Sequence, residues 1–223
     1  MIDAALRRQS REYPGAKEED WMPKKVDLKK RHEDLARAAV LAIGKNGLND
    51  VTLATVAKES GWSIGALTHY IKSKDELLMM AAEYANRELL QRIQPIRAKY
   101  KGLEALRHAA YLALPYNEII PGAKDIWFGF WDRARRNEQV RAMITATYDA
   151  SRKRCGEYVK EAQDLGELPE NADVAKISRS GLMLLEGINV HCFMSSKPLS
   201  RRAQREHVDD WIRQLQLLYP VKK

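Results

Sequence analysis

The chain has 223 residues, long enough to bury a substantial core as one large domain or two small ones. Its 45% hydrophobic and 30% charged residues exclude wholesale disorder, and no apolar run reaches the ~20 residues of a membrane-spanning helix. A net charge of +8 favours polyanionic surroundings without naming a partner.

With only 12 Gly and 8 Pro, the apolar pattern is helical nearly throughout and no alternating run marks a strand, so the expected fold is all-α. Residues 1–27, which include "SREYPGAKEEDWMPKK", read as an N-terminal extension, disordered or loosely docked. The alternative is a basic arm, in which Lys24, Lys25, Lys29, Lys30 and Arg31 lie against nucleic-acid phosphates. The N-terminus lacks the apolar centre of a signal peptide, and Cys155 and Cys192 stand far apart without metal-ligand spacing. Reduced, packing cysteines in the cytoplasm are therefore expected.

From Lys29 to Lys45, Leu35, Ala38, Ala39, Ala42 and Ile43 repeat at helical spacing, and Gly47 follows as a stop. Thr52 is an N-cap for "LATVAKES", which Gly61 closes after two turns. Ser63 opens a second short helix, "IGALTHYI", over 64–71. Ser73, with Glu76 three residues on, forms a capping box for a third helix reaching the nineties, which Pro95 ends or kinks. Further helices are expected over 102–114, 123–136, 138–164, 173–195 and 200–218, separated by Pro115, Pro121-Gly122, "LGELPENAD" and "SSKPLS".

Isolated helices of two turns are marginal in water, so neighbours must stabilise this pair. Val56 and Ala57 on one side and Trp62, Leu67 and Ile71 on the other close a small core around the Gly61 turn. That is a helix-turn-helix, which presents its second helix outward. Ser63, Ile64, Gly65, Thr68 and His69 are the candidate base-reading residues, suited to a major groove. Thr52, Tyr70 and Lys74 are the candidate phosphate contacts that set register.

At these residues the chain resembles a known family. Residues 29–78, through "LATVAKESGWSIGALTHYIKSKDELL", are similar to the DNA-binding domain of the TetR family of bacterial transcriptional regulators. Three positions depart from the family's usual residues: Trp62 stands for valine, Ile71 for phenylalanine and Thr68 for tyrosine. "WFGFWDRARRNEQV" and "GLMLLEGINVHCFMSSKPLS" are similar to the choline-responsive repressors that control betaine synthesis. The resemblance implies a three-helix DNA-binding domain over 28–73 and a larger helical ligand-binding and dimerisation domain over 74–223. It also implies a homodimer paired through the last two helices, on double-stranded operator DNA, released when a small-molecule effector enters the C-terminal domain. The apolar breadth of those helices agrees, since symmetric pairing would give a four-helix bundle; Leu182, Leu185, Trp211 and Leu215 are the candidate interface residues.

Trp127 and Trp131 stand at i and i+4 with Phe130 beside them, and Tyr111 and Tyr148 lie on neighbouring helices. Glu186, Asn189 and Phe193 share one helix face. Aromatic faces with one acid suit an organic cation such as an amine or quaternary ammonium. The same stripe is also compatible with a plain core, with Glu186 paired to Arg179 or Arg152. The five histidines show no ligand-spaced pair, and neither a nucleophile motif nor a phosphate loop is present. No catalytic residue, metal or cofactor is expected. The alternative function is a helix-turn-helix protein whose C-terminal domain binds a protein partner, which calls for an exposed apolar patch instead of an enclosed cavity.

Overall fold

The computed structural model describes residues 28–117 and 122–221, so the expectations for residues 1–27 and Pro121 lie outside the described residues. Among the described residues the chain forms helices only: α1 (Leu28–Asn46), α2 (Leu53–Ser60), α3 (Ile64–Thr68), α4 (Lys74–Lys99), α5 (Gly102–Leu112), α6 (Ala123–Ala134), α7 (Glu138–Asp164), α8 (Val174–Met194) and α9 (Arg201–Leu218). None of these is long and apolar enough to cross a membrane.

Side-chain oxygens set most helix starts. Ser63, Ser73, Asn137, Asp173 and Ser200 each accept a backbone N–H of the first turn. Thr52 and Thr55 cap each other reciprocally at α2, while Gly61 ends that helix at φ 72°, where a side chain would be strained. At α4, Ser73 Oγ accepts the Glu76 amide, and the Glu76 carboxylate accepts the amide of Lys72, one residue earlier than a standard capping box.

One expected boundary differs. α3 stops at Thr68, because His69 and Tyr70 turn the chain and deliver Ile71 to the core, where it is buried. α4 reaches Lys99 as expected and continues past Pro95, so the proline does not end it. Proline removes one helical hydrogen bond, but the turn beyond it is fastened to α7, where Arg97 bonds Glu157 at 2.7 Å and its guanidinium lies over Tyr158.

Leu35, Ala39 and Ile43 of α1, Val56 of α2, Leu67 of α3 and Leu78 and Ala81 of α4 are fully buried in one core. Ile126 and Phe130 of α6 and Val140 and Ile144 of α7 belong to that same core, so the N-terminal head is packed onto the rest of the molecule. A second core, with Leu106, Val159, Ile177, Ile212 and Leu215, joins α5, α7, α8 and α9. The entry to α6 is fitted tightly to α1: Gly122 has φ +89°, and a Cβ there would lie 2.4 Å from the Gly44 amide nitrogen. Asp75, in the first turn of α4, is 3.5 Å from Arg133 and accepts from Asn137 at 3.3 Å, tying the α6–α7 corner to the head.

Candidate functional site

The head presents α3 as a short exposed helix. Ser63, Ile64, Gly65, Thr68 and His69 are all exposed, and Ile64 stands out as a large apolar side chain in water. Thr68 Oγ donates to the Gly65 carbonyl at 2.8 Å, so its methyl and remaining lone pair are what it can offer a groove. Gly65 has nothing near its missing Cβ, which leaves the helix start open for close backbone approach.

The flanking residues are braced. Tyr70 is held edge-on by His32 and Trp62, and its hydroxyl accepts from Arg31 at 3.3 Å. Arg31, counted in sequence as part of a basic arm, instead sits in α1 with its guanidinium 5.3 Å from the Trp62 ring centre. Lys74 Nζ donates to the Asn49 carbonyl at 2.7 Å, stapling the α1–α2 loop to the start of α4. Thr52 Oγ1 accepts from Thr55 and keeps its hydroxyl proton for an outside acceptor. An exposed helix flanked by braced donors and cations can lie in a major groove while the flanks meet phosphates.

A second site lies inside the C-terminal domain. A cavity of 260 Å³ opens between α4, α6, α7 and α8, with Trp127, Phe128, Trp131, Tyr148, Glu186 and Asn189 in its walls. The Tyr148 hydroxyl lies beside the Trp131 indole and the Glu186 carboxyl in this wall. Burial raises the Glu186 pKa, and the Tyr148 hydrogen bond partly offsets the rise. Burial, then the neighbouring Glu186 charge, raises that of Tyr148. Arg152, one expected partner of Glu186, pairs instead with Asp149 at 2.7 Å. Asn189 spends its amide N–H groups on the Leu185 and Ala113 carbonyls at 2.8 and 3.4 Å, so it meets the cavity as an acceptor. Lys124 also lines the wall and donates to the Pro115 carbonyl. Such a chamber suits a small cation that also carries a hydrogen-bond donor.

The structure brings five of the eight expected ligand residues to this cavity: Trp127, Trp131, Tyr148, Glu186 and Asn189. It places three elsewhere. Phe130 is 1% exposed and packs into the core shared with the head, on the opposite side of α6. Tyr111 is buried at the α5–α9 contact, where its hydroxyl donates to Asp209 and Arg205 covers its ring. Phe193 stacks on Phe128 at 4.0 Å with its other face in water, outside the cavity wall. Phe128 was missed. It adjoins Trp127, and a helical step of about 100° keeps neighbouring large rings within one broad wall.

Of the expected pairing residues, Leu215 is buried in the second core, while Leu182, Leu185 and Trp211 are half-buried: Leu182 and Leu185 line the cavity, and Trp211 bonds Ser180 with its ring against Gly181. The exposed large apolar side chains of α8 and α9 are Met183, Phe193, Met194, Leu217 and Leu218.

Comparison with known proteins accounts for both halves. Residues 35–79 match the model of the bacterial regulatory proteins of the tetR family, and residues 102–217 match that of the C-terminal domain of BetI-type transcriptional repressors. The HTH-type transcriptional regulator PksA of Bacillus subtilis is 27% identical over 197 residues, covering 84% of this chain and 93% of that protein. The HTH-type transcriptional regulator BetI of Agrobacterium fabrum is 25% identical over 182 residues, covering 81% and 85%. Among solved structures, a transcriptional regulator from Saccharomonospora viridis in complex with choline has the same fold, with a TM-score of 0.74, 18% identity and coverage of 83% and 96%. A TetR-family regulator from a Rhodococcus species superposes with a TM-score of 0.72 at 20% identity, over 84% and 99% of the two chains. The BetI-type model alone spans more than half of the sequence, and with it the chain belongs to the TetR family of DNA-binding transcriptional regulators, a family without enzymatic activity, and carries a C-terminal domain of the BetI type.

Proposed function

We propose that the protein is a homodimeric repressor that occupies operator DNA in the cytoplasm and leaves it when an organic cation, an amine or quaternary ammonium, fills the Glu186 cavity. The observation that carries this reading is one half-buried carboxylate, Glu186, set in a wall of Trp127, Phe128, Trp131 and Tyr148. Aromatic faces attract an alkylammonium without a shell of water, and the carboxylate supplies the counter-charge. Asn189 then accepts from a hydroxyl on the same ligand. The choline bound by the Saccharomonospora viridis regulator supports this class.

On the head, Ser63, Ile64, Gly65, Thr68 and His69 read base edges, while Thr52, Tyr70 and Lys74 hold phosphates. α6 carries cavity residues on one side and packs Ile126 and Phe130 into the head core on the other. A ligand that shifts α6 therefore changes the attitude of the head and favours one spacing between the two heads of a dimer. Pairing uses the outward faces of α8 and α9, where Met183, Leu217 and Leu218 are exposed.

Fluorescence anisotropy with the duplex just upstream of the gene tests the whole reading. The expected result is binding that resists salt better than binding to a scrambled duplex, and release on addition of choline. Equal, salt-sensitive binding to both duplexes would overturn the regulator's assignment to that operator. Specific binding untouched by any amine would overturn the ligand class.

A further inference from the structure

A second chamber of 120 Å³ lies deeper in the same domain, between α4, α5, α7, α8 and α9. It shares Leu89, Ala113, Ser151, Leu182 and Leu185 with the Glu186 cavity, so the two are neighbouring rooms with a common wall. Its lining is apolar apart from Ser151, Arg154, Cys155 and Tyr158, and Arg154 is its only charged side chain. Burial pushes the Cys155 thiol up to about 11, so that group stays neutral.

Two polar groups at this chamber lack the partners such groups normally have, one lining it and one sealed within its wall. Tyr158 is 3% exposed, and its hydroxyl is enclosed without a hydrogen-bond partner. Leaving a buried donor unmade is costly. Among the described residues the half-buried Arg154 donates only to Ser151 Oγ, at 2.8 Å, and has no carboxylate within ion-pair distance; nearby Glu157 is taken by Arg97. Burial lowers the Arg154 pKa. An arginine fork at the end of an apolar room is a donor for an acceptor oxygen, and a carboxylate also matches the charge.

Resting on the cation reading of the Glu186 cavity, we infer that the effector is elongated and bipolar: a cationic head in the Trp127–Trp131–Glu186 room, an apolar chain past Ser151, and a carboxylate on Arg154. Tyr148 and Arg154 lie six residues apart on α7, about 9 Å along the helix. Roughly eight bonds of an extended chain span that distance. Choline then fills only the first room.

Calorimetric titration, with release of operator DNA as a second readout, compares three probes: choline, an alkyltrimethylammonium of about eight chain bonds, and the trimethylammonio-carboxylate of equal length. The carboxylate is expected to add about tenfold in affinity over the matched alkyl cation. Arg154→Met should erase that tenfold and leave choline unaffected. Tyr158→Phe, which removes a hydroxyl sealed within the wall and no packing, should keep the tenfold without lowering Tm. A carboxylate advantage absent at every chain length, or intact in Arg154→Met but lost in Lys124→Met, would overturn the inference. If choline and the alkyl cation bind through Glu186 while the carboxylate gains nothing, this inference alone falls. If no cation binds in a Glu186-dependent way, the reading of the cavity falls with it, and octanoate binding lost in Arg154→Met would show the inner room acting by itself.

Discussion

Replacing Glu186 by Gln keeps the shape of the cavity and removes its counter-charge. A carboxylate and an ammonium ~4 Å apart interact by about 4 kcal/mol where the effective dielectric constant is near 20. Glu186 is only half buried and the cavity is open on one side, so solvent roughly halves this, to about 2 kcal/mol, or close to 30-fold in Kd. The aromatic contribution of Trp127, Phe128 and Trp131 is untouched, so binding weakens without vanishing. The assay is calorimetry with choline and with its uncharged carbon isostere, 3,3-dimethylbutanol. Wild type should prefer choline strongly, and Glu186→Gln should narrow that preference about 30-fold, leaving the part the aromatic faces supply. Equal loss for the isostere would mean that the substitution disturbs the cavity's shape. An unchanged Kd for choline would refute the role of Glu186 as counter-charge.

Because burial raises the Glu186 pKa, cation affinity should begin to fall on acidification above the ordinary glutamate range near pH ~4.3, and Glu186→Gln should abolish that dependence. The folded chain holds this proton more tightly than the unfolded one, so ionisation costs stability as pH rises from the unfolded value through the folded one; without ligand, Glu186→Gln should melt no lower than wild type at neutral pH. Gly122→Ala combines a left-handed φ, about 1–2 kcal/mol, with a collision on the Gly44 backbone, about 1–3 kcal/mol more; Gly166→Ala, at φ +71° with open space around it, incurs only the first. Urea unfolding should separate the two variants, and equal midpoints would mean that α6 is not seated tightly on α1. Lys74→Ala should weaken binding to all duplexes and lower the salt slope by about 1, whereas Thr68→Ala should change which sequence is preferred, as read by anisotropy on variant operators. Leu217→Glu places a charge in the proposed pairing face and should yield monomers in sedimentation without loss of helical content.

The head was legible because its signals are local. Thr52, Ser63 and Ser73 supply caps within one turn of the amides they bind, and Gly61 marks the turn by its backbone alone. The cavity was legible only in part, because periodicity says which residues share a helix face and not what that face meets. Phe130 and Trp131 are adjacent, yet Trp131 reaches the cavity and Phe130 the head core. Tyr111 looked equally available until α9 set Asp209 and Arg205 against it. The inner room left no trace in the pattern either, since Arg154 and Tyr158 read as ordinary positions of a long amphipathic helix. At Pro95 the local cost of a proline left two outcomes open, and the distant Arg97–Glu157 pair, which fastens the turn that follows, goes with a helix that continues.

The seating of α6 also limits how such a protein changes over evolutionary time. Gly122, Ile126, Gly129 and Phe130 fall at i, i+4, i+7 and i+8 and press on α1, Leu48 and the head core, where added volume meets backbone or packed side chains. Trp127, Phe128 and Trp131 occupy the other arc and border empty space. Drift is therefore cheap on one arc and heavily penalised on the other. A lineage can exchange the aromatic arc to answer a new metabolite while inheriting the linkage to DNA intact, so that novelty in what is sensed need not be rebuilt as novelty in how the signal is passed on.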